Sequence, residues 1–91
     1  MEKLILIDGE FQQEEAREIL MNVFSTKINF HQFKNFSSQE RFGKEDETAI
    51  RRIPALKLEV LRLEKMLADA KSKNKKMIVR SEITISYVDA D

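Results

Sequence analysis

Apolar positions in the second half of the chain recur at alternating spacings of three and four residues, which is typical of a helix that packs along another helix. They are Ile53, Leu56, Val60, Leu63, Leu67 and Ala70. This pattern predicts a helix over about residues 46–72. Pro54 lies inside that range, and proline lacks the N–H that would bond the carbonyl of Ile50. The helix is therefore expected either to kink at Pro54 or to start there.

A similar stripe in the first half of the chain predicts another helix, over about residues 12–37. Its members are Ala16, Ile19, Val23, Thr26, Phe30, Phe33 and Ser37. Glu14 and Glu15 fall in the first turn, where carboxylates complement the positive end of the helix dipole. The stripe is imperfect at Thr26, so a bend or a short second helix near that residue stays open.

The two stripes predict an antiparallel helical hairpin. In that arrangement Phe30 and Phe33 are expected to face Ile53 and Leu56, as part of a phenylalanine-rich core. The alternative is that the dense phenylalanine cluster between residues 24 and 42 lines a hydrophobic groove. His31, the sole histidine, is expected to be a surface or half-buried structural residue.

The sequence pattern predicts a strand near each end of the chain. After about residue 77 the apolar period changes to two, which is typical of a strand over about 77–88. A short apolar, β-rich run predicts a first strand over about residues 3–7. The tripeptide at 8–10, Asp-Gly-Glu, is a turn signal directly after it.

The order strand, helix, helix, strand predicts a single α+β domain over residues 1–91, with an antiparallel hairpin packed on a small antiparallel sheet. A sheet of two strands is marginally stable in water and leaves both outer edges open. A straight helix of 27 residues would also span about 40 Å, whereas the radius of gyration of a compact domain of this size is about 12 Å. We therefore expect oligomerisation to complete the fold.

Leu58 and Leu61 lie on the side of the second helix away from its main stripe. They either dip toward the sheet or a loop, or form a surface for a partner. We favour a partner surface built from these two leucines and the strand edges. The expected partner is a second copy, with a dimer favoured, and another protein is a further possibility. The predicted function is thus a small self-associating structural or protein-interaction module without catalytic activity.

The composition is typical of a soluble globular protein, since 42% of the residues are hydrophobic and 35% are charged. The absence of cysteine excludes disulfides and cysteine zinc sites and favours a cytoplasmic location. The apolar run near the start of the chain is too short for a signal peptide or a membrane span. No membrane association is predicted.

Charge is unevenly distributed, although the net charge is zero. Residues 51–80 carry ten basic and three acidic side chains, which gives +7. The alternative function is therefore a nucleic-acid-binding accessory protein that uses the basic block from Arg51 to Arg80. The basic residues around the turn that follows the second helix are Lys71, Lys73, Lys75, Lys76 and Arg80. Nucleic-acid binding is disfavoured because no aromatic residue that could stack on bases lies between Phe42 and Tyr87. In the hairpin, some of the lysines are also expected to be matched by acidic residues of α1: Glu14, Glu15 and Glu18 are expected to approach Lys65, Lys71 and Lys73.

Residues able to carry out chemistry do not cluster in the sequence. His31 has no histidine or cysteine partner, and Ser37-Ser38 has no adjacent base. Gly43-Lys44 lacks the remainder of a phosphate-binding loop. The acidic run Glu45-Asp46-Glu47 lacks the ligand spacing of a calcium loop and is expected to start the second helix. No enzyme, cofactor or metal site is predicted.

Overall fold

The structure is a computed structural model that describes residues 1–90. Its elements are β1 (Glu2–Phe11), α1 (Gln13–Phe42), α2 (Glu47–Ser72) and β2 (Met77–Ile85). The strands pair antiparallel, and the helices form a hairpin packed with the resulting sheet. The predicted α+β class and element order are confirmed. β2 ends at Ile85 rather than near residue 88.

α1 is one continuous helix of 30 residues, so it does not divide into two helices near Thr26 and does not end near residue 37. It starts where the backbone N–H of Gln12 donates to the Glu15 carboxylate at 3.0 Å. It ends at Gly43, whose φ of 67° is left-handed and whose N–H donates to the carbonyl of Gln39. Glycine suits this position because it has no Cβ to oppose a positive φ.

α2 begins at Glu47 and continues through Pro54, so of the two alternatives at the proline, a helix that starts there is not what the structure has. Proline removes a single hydrogen bond, while Ala49 before it and Leu56 after it are both buried. The Asp46 carboxylate caps the helix by accepting from the N–H of Ala49 at 2.9 Å. The predicted helix start at this acidic run is confirmed.

β1 is longer than predicted because residues 8–10 belong to the strand and do not form a turn. Asp8 lies opposite Arg80, and their side chains form a 3.3 Å ion pair. Gly9 lies beneath the ring of Phe11, where an added Cβ would come within 3.2 Å of the ring. The glycine therefore serves a close side-chain approach within the strand.

Leu6 is the extra residue of a β-bulge in β1. On one side of it Ile5 pairs with Glu82, and on the other Ile7 pairs with Ser81. A bulge bends its strand and increases the local twist. It separates the half of the sheet next to the helices from a distal half.

The hydrophobic core is small and lies where both helices meet the sheet. Ala16, Leu63 and Leu67 are buried at its centre. Partly buried side chains pack around them: Phe11, Leu20, Met21, Phe24, Met77 and Val79. Both strands thus reach the core through the ends that adjoin the helices.

The face that α1 turns inward differs from the predicted one. His31 is only 7% exposed, whereas Phe30 is 52% and Phe33 is 71% exposed. Neighbouring residues lie about 100° apart around a helix. The inward face of α1 therefore runs through Ala16, His31 and Asn35 and leaves Phe30 and Phe33 outside it. Phe30 contacts the edge of the His31 ring, with centroids 5.4 Å apart. The expectation that Phe30 and Phe33 lie in the core and face Ile53 and Leu56 is wrong, although Phe24 does pack against the core.

The molecule is elongated, with extents of 50 × 30 × 15 Å and a radius of gyration of 16.5 Å. A compact domain of 91 residues has a radius of gyration of about 12 Å. The 30 residues of α1 alone span about 45 Å, which accounts for the long dimension. The hairpin therefore extends well beyond the small core.

Candidate functional site

Leu58 and Leu61 lie on the outer side of α2, where they are 59% and 61% exposed. They remain exposed rather than dipping toward the sheet or a loop. Ile50, eight residues before Leu58, is about half exposed on the same side of the helix. Together the three residues form an apolar stripe that is about half exposed or more.

A second apolar surface occupies the distal half of the sheet, beyond the bulge. Its side chains are Leu4, Ile5, Leu6, Ile83 and Ile85, all exposed. Leu4 pairs directly with Ile83, so the two side chains share a face of the sheet, whereas Ile5 pairs with Glu82 and lies on the opposite face. A protruding pair of strands with apolar side chains gains stability when another surface covers it.

The third apolar surface is a stripe on α1 that contains Phe30 and Phe33. Phe30 and Phe33 are exposed, and Ile19 and Val23 are half buried. A shallow, mainly apolar depression lies beside Val23 and Thr26. The sequence pattern assigned Phe30 and Phe33 to the hairpin core, whereas the structure leaves both on the surface.

The basic residues of the alternative function lie at the end of α2 and along the start of β2. Lys73 forms a 3.2 Å ion pair with Asp69. Arg80 bonds both Asp8 at 3.3 Å and Glu82 at 2.9 Å. Two of the five cations are therefore matched by carboxylates of the same chain.

One ion pair joins the helices within the described part of the chain, and it is not the predicted one. Nη1 of Arg17 donates to Oε1 of Glu64 at 2.8 Å, whereas Glu14, Glu15 and Glu18 were expected to meet lysines of α2. The hydrogen bond from Arg17, opposed by partial desolvation, lowers the pKa of the Glu64 carboxyl. The same bond raises the pKa of Arg17.

Two of the polar residues considered for chemistry, Ser38 and Asp46, have structural partners. Asp46 caps α2, and the Ser38 hydroxyl donates to the Lys44 carbonyl at 2.9 Å. Among residues 1–90, no three histidine, aspartate or glutamate side chains come together as a metal-binding group. Over the same residues, neither helix is long and apolar enough to cross a membrane.

Sequence reasoning identified Leu58 and Leu61 but missed the distal half of the sheet as an apolar surface. The signal was present in the run from Leu4 to Ile7, which is apolar on consecutive positions rather than on alternate ones. A strand with this pattern carries apolar side chains on both faces. Comparison with protein-family models, with curated proteins and with solved structures finds no match for this chain.

Proposed function

We propose that the protein is a small self-associating structural or protein-interaction module, and that Leu58, Leu61 and the strand edges provide its partner surface. The favoured partner is a second copy of the chain, giving a dimer. The proposal assigns no catalytic activity, cofactor or metal. It places the protein in the cytoplasm, which the cysteine-free composition supports.

The observation that carries the proposal is the exposed area of the chain, 7543 Å². A compact monomer with this chain's mass of 10.7 kDa exposes about 5500 Å². The excess is about 2000 Å² per chain by the same relation. A standard protein interface buries about 800 Å² per partner, and obligate homodimers bury more. The excess is larger than a standard interface covers and corresponds in size to the interface of an obligate homodimer.

The chemistry of the excess area also supports association. Leucine and isoleucine side chains on the outer side of α2 and on the distal sheet are exposed in groups rather than singly. Each strand also has one outer edge with no strand beside it in residues 1–90. Unpaired edges and grouped apolar side chains are features that partners cover.

Light scattering coupled to size-exclusion chromatography tests this proposal at tens of micromolar protein. We expect a mass of about twice 10.7 kDa for the wild type and a lower mass for Leu58→Glu. Thr48→Glu is the matched control, because it adds the same charge at an exposed position of the same helix. A wild-type monomer, with Leu58→Glu changing neither mass nor stability, would exclude the proposal.

A further inference from the structure

We propose that two copies join along the free edge of β2, antiparallel about a two-fold axis at Ser81, to form a four-stranded sheet with the order β1-β2-β2-β1. This inference rests on the proposed self-association and names the surface through which the two copies meet. It concerns one strand and one register, so it can fail while self-association stands.

The edge of β2 is better suited to pairing than the edge of β1. β1 is interrupted by the bulge at Leu6, and bulges and charged residues are features that guard edges against pairing. β1 also carries four charged residues, Glu2, Lys3, Asp8 and Glu10. β2 runs for nine residues with only Arg80 and Glu82 charged and with neither proline nor glycine.

The two charges of β2 select the register. With the axis at Ser81, Arg80 lies opposite the partner's Glu82, and the symmetry repeats this contact on the other side. Opposite charges directly across an antiparallel pair are stabilising. An axis at Arg80 would place two arginines opposite each other, and an axis at Glu82 would place two glutamates opposite each other. Ser81 is therefore the centre at which β2 complements itself.

The apolar residues of β2 fit the same register. Val79 lies opposite the partner's Ile83, and Met77 lies opposite the partner's Ile85. Successive odd-numbered residues of the strand share one face. Met77 and Val79 pack against their own core cluster, whereas Ile83 and Ile85 are 39% and 40% exposed in one chain. The pairing brings each exposed distal isoleucine next to the partner's core and its helical hairpin.

A single cysteine tests the axis directly, because the chain has no cysteine of its own. In an antiparallel pair, directly opposite Cα atoms are about 4.5–5.5 Å apart, within the range that a disulfide spans. Ser81→Cys is therefore expected to cross-link two chains under mild oxidation and to double the mass on a non-reducing gel. Thr84→Cys is the control, since the two copies of residue 84 would lie about 20 Å apart along the strands.

Charge reversal gives a second measurement that does not depend on oxidation. Arg80→Glu would place acidic side chains opposite each other and is expected to lower the dimer fraction in light scattering. The double variant Arg80→Glu/Glu82→Arg restores opposite charges and is expected to recover association. Asp8→Asn is the matched control, because it removes the ion pair of Arg80 with Asp8, one of its two ion pairs within one chain, and leaves the contact between chains.

The outcomes separate this inference from the proposed function. A wild-type monomer would overturn both. A dimer in which Ser81→Cys cross-links no faster than Thr84→Cys would overturn the β2 register and leave self-association in place. Selective cross-linking at residue 81, together with an unchanged dimer in Leu58→Glu, would support the β2 pairing and remove Leu58 from the interface.

Discussion

The guanidinium of Arg17 donates a 2.8 Å hydrogen bond to the carboxylate of Glu64, and this bond ties α1 to α2 beside the small core. The neighbouring residues in the chain, Ala16 and Leu63, are both buried in that core. The ion pair therefore borders the best-packed part of the molecule and helps to fix how the helices align. Its bond lowers the pKa of Glu64.

Acid should weaken the contribution of this ion pair. Because the pKa of Glu64 is lowered on folding, its contribution is fully present above the ordinary value of 4.5 and is lost as the pH falls through the lowered value. We expect the stability difference between the wild type and Arg17→Gln to shrink between about pH 7 and about pH 3. Urea unfolding at both pH values measures it. If the difference in free energy of unfolding between the two proteins is the same at both pH values, the ion pair of Arg17 with Glu64 does not contribute to stability.

Core and surface leucines of α2 should respond differently to truncation. Leu67 is fully buried, so Leu67→Ala should lower the free energy of unfolding by about 2–5 kcal/mol through lost burial and the remaining cavity. Leu58→Ala should change the free energy of unfolding of the isolated chain by about 0.5 kcal/mol or less, as is usual for exposed positions. Denaturant unfolding at low protein concentration compares them. Equal losses at that concentration would contradict the burial difference.

The turn after α1 should depend on its left-handed backbone. Gly43 has a φ of 67°, and an added Cβ would meet no atom within 4 Å. Gly43→Ala should therefore cost roughly 1 kcal/mol from backbone strain alone. Gly43→Asn should cost less, because asparagine tolerates this conformation better. Thermal unfolding of the two variants checks the order, and an alanine variant as stable as the asparagine variant would contradict it.

Periodicity predicted the elements well because packing imposes it directly. Leu56, Leu63, Leu67 and Ala70, four members of the predicted stripe of α2, are all buried. The order of the elements followed from the short apolar run of the first strand, the period of about 3.6 in the helices and the change to a period of two in the last strand. Where burial is apolar and regular, the sequence pattern was sufficient.

The inward face of α1 could not be predicted because part of it is polar. His31 and Asn35 lie on that face, and Asn35 is held there by a hydrogen bond to the turn between the helices. An apolar pattern instead favours the neighbouring stripe with Phe30 and Phe33, which the fold leaves exposed. The turn predicted at Gly9 is wrong because the role of this glycine depends on a contact that the local sequence does not show. Gly9 lies within β1, next to the ring of Phe11.

The cap of α2 provides a further test of the acidic run at residues 45–47. The Asp46 carboxylate accepts from the N–H of Ala49, so Asp46→Ala should cost about 0.5–2 kcal/mol. Asp46→Ser should retain most of the stability, because serine also caps helices. Glu45→Ala is the control and should have little effect, since Glu45 is exposed outside the helix. Chemical unfolding of the three variants would contradict the assignment if Glu45→Ala were the most damaging.

Asn35 offers the sharpest test of whether a polar contact aligns the hairpin. Its side-chain oxygen accepts from the backbone N–H of Asp46 at 2.8 Å across the turn. Asn35→Leu is what an apolar pattern would favour at a half-buried position, yet it would leave that N–H without its partner and should cost about 1–3 kcal/mol. Asn35→Asp keeps an acceptor oxygen of the same shape and should be tolerated better. Urea unfolding distinguishes them, and a leucine variant more stable than the wild type would show that hydrophobic burial outweighs the hydrogen bond here.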